Sequence, residues 1–353
     1  MPRVWDVPVC DSTRVRDARV AAEQAASLAG LDERRAASAA LVATELATNL
    51  IKHAEGGRVL IDVVPPPVLP AGRDAPRVVQ ISAIDHGPGI ADVAEARRDG
   101  FSTAGSLGAG LGACRRISDD FGLHSTPGRG TVALARIGAA GRGARTAPER
   151  SAGVRAGGVN VPFGAADYSG DAWAWVRHED RLTLMMADGL GHGPEAARAS
   201  TAAVEALREA ARLPPGEMLR RLDAALSGTR GAAVAVAQVD TRAGRLRFAG
   251  IGNVGARLCQ GGTWRHLTSR PGIVGVHRRA TLREEETEWG PDRLLIMHTD
   301  GLPSRWTPPS DERLWETDPA VTAAVTIRDA SSSARPVRDD TAVAVLTPGP
   351  VAA

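Results

Sequence analysis

Cysteine is scarce: there are 3 in 353 residues, Cys10, Cys114 and Cys259, odd in number, far apart and in no CxxC pair. This excludes a disulfide framework and a thiolate metal site, and a reducing cytoplasm is the expected setting. Aromatic residues make up only 3%, so the cores must be built from Ala, Val and Leu. No stretch approaches the roughly 18 apolar residues of a membrane span, and the opening MPRVWDVPVC has no apolar signal core; neither spanning nor secretion is expected. Neither sign of charge is in excess: 43 basic residues face 41 acidic ones, a formal net charge of +2. Nucleic acid and anionic membranes are therefore not expected partners. Lysine is nearly absent, Lys52 being the single one, a coding bias rather than a sign of arginine-specific recognition. There is no GxxxxGK[ST], which excludes a P-loop NTPase.

A chain of 353 residues should form about two domains. The clearest composition shift, GAAGRGARTAPERSAGVRAGG over 138–158, is rich in Gly, Ala and Arg without apolar periodicity. It is expected to be a flexible linker between a domain at 1–137 and another at 159–347. In the first, Ala39, Val42, Ala43, Leu46 and Leu50 recur at helical spacing within 36–54, and Gly56-Gly57 follows as a stop. RVLIDVV (58–64), RVVQISAID (77–85) and TVALARI (131–137) predict strands, and a further helix opens near Gly110. This mixture predicts an α+β sandwich. The second domain predicts strands at 172–177, 181–188, 232–240, 245–252, 254–260, 293–300 and 341–346, with a helical run from Pro194 to about Leu226 broken at Pro214-Pro215. That pattern reads as a β-sandwich with helices on a face.

Two constellations carry chemistry. On the 36–54 helix, Glu45 and Asn49 share one face, with Lys52 and His53 a turn further on; such a pair alone is ordinarily a solvated face. Asp85, however, ends an apolar strand and runs into HGPG, where a carboxylate can accept a hydrogen bond from an exocyclic amine and glycines let the backbone approach a ring. GSLGAGLG (105–112) then opens a helix with free N–H groups for phosphates. These glycines follow a helix and a loop rather than a first βαβ strand, which excludes a Rossmann site. In the second half, Asp171 (SGDAW), Asp188 (ADGLGHG), Asp300 (HTDGL) and the Asp339-Asp340 pair (RDDTAVAV) each lie at a strand end or beside glycine. Any one alone is ordinarily a turn. Together, carboxylates from neighbouring strand ends can hold two hard divalent cations that activate a water for attack on phosphorus. A single His192 without a second nitrogen or sulfur ligand reads as a loop residue.

The order TELATN, DHGPGI, GAGLG resembles the Bergerat (GHKL) ATP-binding fold, and TELATNLIKHA, DHGPGI and STPGRGT look most like the RsbT-type switch kinases, over about residues 10–137. The resemblance implies ATP with Mg²⁺ as cofactor. It implies Asn49 as the magnesium ligand, Glu45 as the residue polarising the attacking hydroxyl or water, and Asp85 as the adenine reader. Gly87 and Gly89 would be its companion box, and Gly108, Gly110 and Gly112 the phosphate lid. The series SGD, ADGLGHG, GIGNVG, RPGIVG, HTDGL and RDDTAVAV, over about 156–347, is similar to the SpoIIE/RsbX branch of the PPM serine/threonine phosphatases. That implies two Mn²⁺ or Mg²⁺, bridged by Asp188 with the Gly189 carbonyl and completed by Asp171, Asp300 and Asp339, with Asp340 as a neighbour. SGDAW lacks the second Asp often found three residues on, which leaves a third metal unsupported.

The expected fold is therefore α+β, a Bergerat (GHKL) α/β sandwich followed by a PPM-type β-sandwich flanked by helices. The expected function is a partner-switching regulator that phosphorylates and dephosphorylates Ser/Thr residues of STAS-domain antagonist or stressosome proteins, controlling a sigma factor or stress response. Two alternatives stay open for residues 1–137: an ATP-sensing regulator of the phosphatase, or an anti-sigma module that sequesters a sigma factor. Some relatives pair through this domain, so a homodimer is an expectation.

Overall fold

The computed structural model describes residues 3–65, 77–93, 110–139, 153–166, 168–276, 282–332 and 337–349. In the first unit the chain runs β1 (Val4–Val9), α1 (Thr13–Leu28), α2 (Glu33–Ala54), β2 (Gly57–Val64), β3 (Val78–Ile84), α3 (Leu111–Ile117), β4 (Asp120–Thr126) and β5 (Gly130–Gly138). The central helix α2 has well-defined ends. Asp32 caps it by accepting from the Arg35 N–H, Glu33 sits in the first turn, Lys52 and His53 sit in the last, and Glu55 turns left-handed at φ 57°. The five strands form one antiparallel sheet in the order β1-β2-β3-β5-β4.

Strand periodicity gives this sheet two different faces. Val59, Ile61, Val79, Ile81, Ala83, Ala133, Ala135 and Ile137 point into a core with α1 and α2. The alternate residues, Leu60, Val132 and Leu134, together with Ile84 at the end of β3, belong to a second core. Gln80, Ser82 and Arg136 are also buried on that side, although their polarity predicts a solvated face.

The second unit supplies the cover. It contains β6 (Val154–Val161), β7 (Asp171–His178), β8 (Arg181–Gly189), α4 (Pro194–Glu209), α5 (Pro215–Ala225), β9 (Ala232–Asp240), β10 (Arg245–Ile251), β11 (Gly255–Gln260) and β12 (Thr263–Leu267). β13 (Glu285–Glu288), β14 (Arg293–His298), α6 (Arg313–Glu316), α7 (Pro319–Ala330) and β15 (Thr341–Pro348) follow. Two five-stranded sheets, β13-β10-β9-β8-β7 and β12-β11-β14-β15-β6, face each other across a core of residues such as Leu184, Met186, Leu258, Met297 and Leu346. Helices α4 and α5, separated at Pro214-Pro215, cover the outer face of the first sheet through Leu207, Leu219 and Leu222. Helix α7 lies on the second sheet and simultaneously on the sheet of the first unit: Val321, Ala324 and Ile327 share one core with Val343, Ile296, Leu134 and Val132. At Gly122 on β4 a Cβ would lie 2.5 Å from Val321 Cγ2, so glycine is what lets α7 approach.

The region expected as a linker is shorter than 138–158 and does not separate two independent cores. Strand β5 runs to Gly138, and β6 begins at Val154 by pairing with β15, which takes Val154–Gly158 into the second unit's sheet. The glycines of that segment fit because Gly157 packs against the Ala320 N–H of α7 and Gly158 against Trp173, with 2.7 Å left for a Cβ in each case.

The contact between units is polar at its centre. Arg136, 2% exposed, donates through Nη1 and Nη2 to the two oxygens of Asp318 at 2.5 and 2.9 Å and through Nε to Gln80 Oε1. Gln80 in turn donates to the Gly158 carbonyl. Burial pushes the Asp318 carboxyl up, but the Arg136 guanidinium, the Ala320 N–H and Arg155 together outweigh it and hold the group below its ordinary range. Asp318 keeps 19% of its side chain exposed, so removing Arg136 strands a partly solvated charge and costs up to about 3 kcal/mol, the low end for a buried pair. Arg136→Ala should therefore lower the unfolding free energy by that amount in urea titration, whereas Arg19→Ala, in an exposed helix pair of α1, should cost less than about 0.5 kcal/mol.

Candidate functional site

In the first unit, Glu45 and Asn49 lie one turn apart on α2 and both side chains are half-buried. Asn49 Nδ2 is buried without a hydrogen-bond partner among the described residues. A buried amide donor without a partner costs about 1–3 kcal/mol, so this atom fits a bound group rather than a packed core. Burial raises the Glu45 carboxyl above its ordinary range, against the pull of Lys52. Glu45 lies close to α3, because its charge joins burial in pushing the Cys114 thiol up to about 12. Gly110 is the cap residue of α3 and Gly112 is buried in its first turn; Gly108 lies outside the described residues.

Asp85, 6% exposed, follows β3 directly. Its Oδ1 accepts from the Gly87 N–H at 2.9 Å and the Thr131 N–H at 3.0 Å, leaving Oδ2 without a hydrogen bond among the described residues. Burial is the main reason that its carboxyl is raised, offset in part by those two N–H groups. The surrounding glycines are needed for contact. A Cβ on Gly87 would sit 2.7 Å from Ala54 at the end of α2, one on Gly89 2.4 Å from the Thr126 carbonyl, and one on Gly130 2.1 Å from the Asp85 carbonyl. The rigid carboxylate, the end of α2 and Asn49 thus belong to one corner, and the donor set fits a nucleotide with a hard cation.

In the second unit the sandwich brings all the expected aspartates to one end. Asp171 opens β7 and Asp188 lies directly opposite it near the end of β8. Asp300 follows β14, and Asp339-Asp340 precede β15, which pairs with β14. Like charges directly across a strand pair are destabilising unless something lies between them. Burial, then Asp188, pushes the Asp171 carboxyl well up, with Asp340 and Asp300 adding to it. Asp188 is pushed up to about 7 by burial and by Asp300, Asp339 and Asp340. Asp171 Oδ2 is buried without a hydrogen-bond partner among the described residues. These carboxylates fit hard divalent cations by charge and by that orphaned oxygen, although no group of three or more His, Cys, Asp or Glu among the described residues already has metal-holding geometry.

The two neighbours at the end of the chain divide the work. Asp340 is buried and spends both oxygens on the backbone, Oδ1 on the Phe163 N–H and Oδ2 on the Gly170 N–H, each at 2.8 Å. It therefore fixes the SGD turn before Asp171, while Asp339 stays exposed with Oδ1 accepting from the Asp340 N–H. Gly189 is required where it stands: a Cβ would lie 2.3 Å from the Ala196 carbonyl of α4. His192 is exposed. Sequence reasoning missed Asn253, whose Nδ2 donates to Asp300 Oδ2 at 2.6 Å, and Thr299, which partly offsets the rise of the Asp171 carboxyl. The GIGNVG motif contained the first, but only the hairpin geometry aims it at Asp300.

Residues 10–136 match the family described as Histidine kinase-like ATPase domain, and residues 178–347 match Stage II sporulation protein E (SpoIIE). The two matches cover the two units in turn. The first unit is similar to Serine/threonine-protein kinase RsbT of Bacillus subtilis (strain 168), 42% identical over 88 residues, which is 25% of this chain. The chain spans 61% of the length of that relative. Among solved structures it is similar to the PP2C phosphatase domain with a regulatory fragment of SpoIIE from Bacillus subtilis, at 13% identity and TM-score 0.47, covering 96% of this chain and 97% of that one. It is also similar to RsbX in complex with magnesium, at 18% identity and TM-score 0.47, covering 56% and 96%. At these values the structural likenesses carry no argument about function. No helix among the described residues is long and apolar enough to cross a membrane.

The repulsion among the aspartates has a measurable sign. A carboxyl held near 7 in the fold and near 3.8 when unfolded favours the fold only while protonated. With divalent ions chelated, stability should be highest below pH 3.8 for this group and fall as pH rises through about 7, by at most about 1.4 kcal/mol per pH unit. Asp188→Asn should flatten that slope in urea titrations, and an unchanged slope would show that Asp188 does not carry the repulsion.

Proposed function

We propose that residues 159–347 hydrolyse phosphoserine or phosphothreonine in a protein substrate and that residues 1–137 use ATP to phosphorylate the same class of residue. The observation that carries the reading is the convergence of Asp171, Asp188, Asp300 and Asp339 at one end of the sandwich, with Asp171 and Asp188 opposed across a strand pair. Two Mn²⁺ or Mg²⁺ bound there would neutralise the phosphate and lower the pKa of a water. Asp171, Asp188, Asp300 and Asp339, with the Gly189 carbonyl, would hold the two cations. Asn253 orients Asp300, and Asp340 fixes the turn before Asp171. Hydrolysis forms one oxygen–phosphorus bond from water and breaks the phosphorus–Oγ bond, the serine leaving with a proton.

In the first unit Asp85 Oδ2 would accept the adenine amine, Asn49 would hold Mg²⁺ with its amide oxygen, and Gly110 and Gly112 would face the phosphates. Glu45, made more basic by burial, would accept the proton of the attacking serine hydroxyl. RsbT-type resemblance supports STAS-domain antagonist or stressosome proteins as substrates, acting in the cytoplasm upstream of a sigma factor, and a homodimer through the first unit. Both activities on one chain keep opposing sites at high effective concentration for one substrate.

A second reading is favoured by one observation. His86, next to Asp85, places its ring Nε2 3.0 Å from the Arg328 carbonyl and 3.1 Å from the Ser331 carbonyl at the end of α7. Residues 1–137 would then act as an ATP-sensing or sigma-binding regulator of the phosphatase rather than as a kinase.

The test is a paired assay with STAS proteins of the same genome. Asp188→Asn should lower Mn²⁺-dependent phosphate release at least about 100-fold with an unchanged circular dichroism spectrum. Label from ATP should accumulate on the partner in that variant and disappear with the wild type. Asn49→Asp should weaken ATP use, measured by nucleotide binding, while phosphate release persists. Absence of label with intact phosphate release selects the regulatory reading; Asp188→Asn with full turnover in saturating Mn²⁺ sinks the phosphatase assignment.

A further inference from the structure

A pocket of about 810 Å³ opens at the seam between the two units, with Asp300 and Asp339 among its lining residues and Trp306 in its wall. This is within the roughly 300–1,000 Å³ that bury a whole ligand, and more than a phosphate group alone requires. Three arginines line it, and one of them, Arg129, comes from the first unit. We propose that this pocket is the groove for the peptide segment flanking the phosphoserine, and that Arg129 is a specificity-determining residue selecting an acidic side chain in that segment. The proposal rests on the phosphatase reading for the position of the phosphate and goes beyond it in naming what lies beside it.

Three features carry it. The first is charge. Arg305 and Arg338 are exposed and have no ion-pair partner among the described residues, and Arg129 is 64% exposed with one long contact, 3.4 Å, to Asp329. Asp329 is already paired by Arg328 Nε at 2.9 Å, so Arg129 remains able to form a bidentate contact with an incoming carboxylate.

The second feature is presentation. Arg129 sits at the tip of the β4–β5 hairpin, which is pinned on every side: Arg129 N–H donates to the Thr126 carbonyl, Gly128 N–H to the Pro88 carbonyl, and Arg328 Nη1 to the Gly130 carbonyl. Gly128 and Gly130 have φ of +74° and +95°, so a side chain at either would strain the tip. A flexible side chain on a fixed backbone is suited to reading a neighbouring charge.

The third is a firm wall. Trp306 is 5% exposed, with the Arg257 guanidinium 4.2 Å from its ring centroid and His298 edge-on at 5.0 Å. The wall is thus set before any ligand arrives, which lowers the ordering cost of binding.

The experiment compares two fluorescent phosphoserine peptides, one with aspartates flanking the phosphoserine and one with alanines. Binding is read by anisotropy in Mg²⁺ on the Asp188→Asn background, so that the peptide is not consumed. The parent should favour the acidic peptide; Arg129→Glu should weaken it about tenfold and the alanine peptide far less, and Arg129→Lys should restore most of the preference. A structural role alone would weaken both peptides together. Arg208→Glu, on an exposed position of α4, controls for overall charge. An unchanged preference in Arg129→Glu, an equal loss for both peptides, or an equal loss of preference in Arg208→Glu overturns the proposal. Hydrolysis of the acidic peptide by the wild type in Mn²⁺ is scored separately. Arg129-dependent binding without hydrolysis keeps the groove and removes the phosphatase reading, and hydrolysis with Arg129-independent binding does the reverse.

Discussion

The buried Arg136–Asp318 pair is the constraint on which the relation between the two units depends. A guanidinium taken out of water must be met by a carboxylate of fixed geometry, and Asp318 is fixed because it also caps α7 by accepting from the Ala320 N–H at 2.9 Å. One carboxylate therefore sets both where α7 begins and where the first unit's sheet must lie. Around it the apolar residues of β2, β5, α7, β14 and β15 close into one core. The helix serves two sheets at once, which a helix with apolar residues all round can do.

This placement gives the two candidate sites a common border. The Asp85 loop is tied through His86 to the end of α7, the β4–β5 tip is tied through Gly130 to Arg328, and the segment after α7 leads to Asp339. A fold-level analogy would place an ATP-type unit beside a phosphatase-type unit and stop there. Here the hairpin that orders Asp85 through Thr131 is the same hairpin that projects Arg129 into the pocket holding Asp300. The two sites are therefore not mechanically separate bodies on a tether.

The phosphatase-type end illustrates how function works against stability. Burial raises the carboxyls of Asp171 on β7 and Asp188 on β8, and the negative charges of their aspartate neighbours add to it. A sheet under selection for stability alone would not retain them. Their neighbours Asp340 and Asn253 are committed to holding the others in place, so the cluster contains both candidate ligands and the groups that orient them.

Much of this was legible in the amino-acid sequence. Apolar periodicity located α2 and most central strands because those elements bury one face or a continuous run, and turn glycines and prolines marked their ends. The Asp-Gly and Gly-rich motifs named Asp85, Asp171, Asp188, Asp300 and Asp339, since such chemistry needs particular residue types at particular strand ends. The elements that escaped notice were β1, α1, β4, β6, β12, β13, α6 and α7, which are short or whose small or mixed residues carry weak periodic signals. Burial of Gln80 and Arg136, the shortened connection before β6, and the aim of Asn253 and Arg129 were decided only by tertiary structure. The physical reason is that residue type and spacing determine what a segment can bury or bind locally, whereas a polar residue's partner comes from a distant part of the chain and exists only once the two units have packed together.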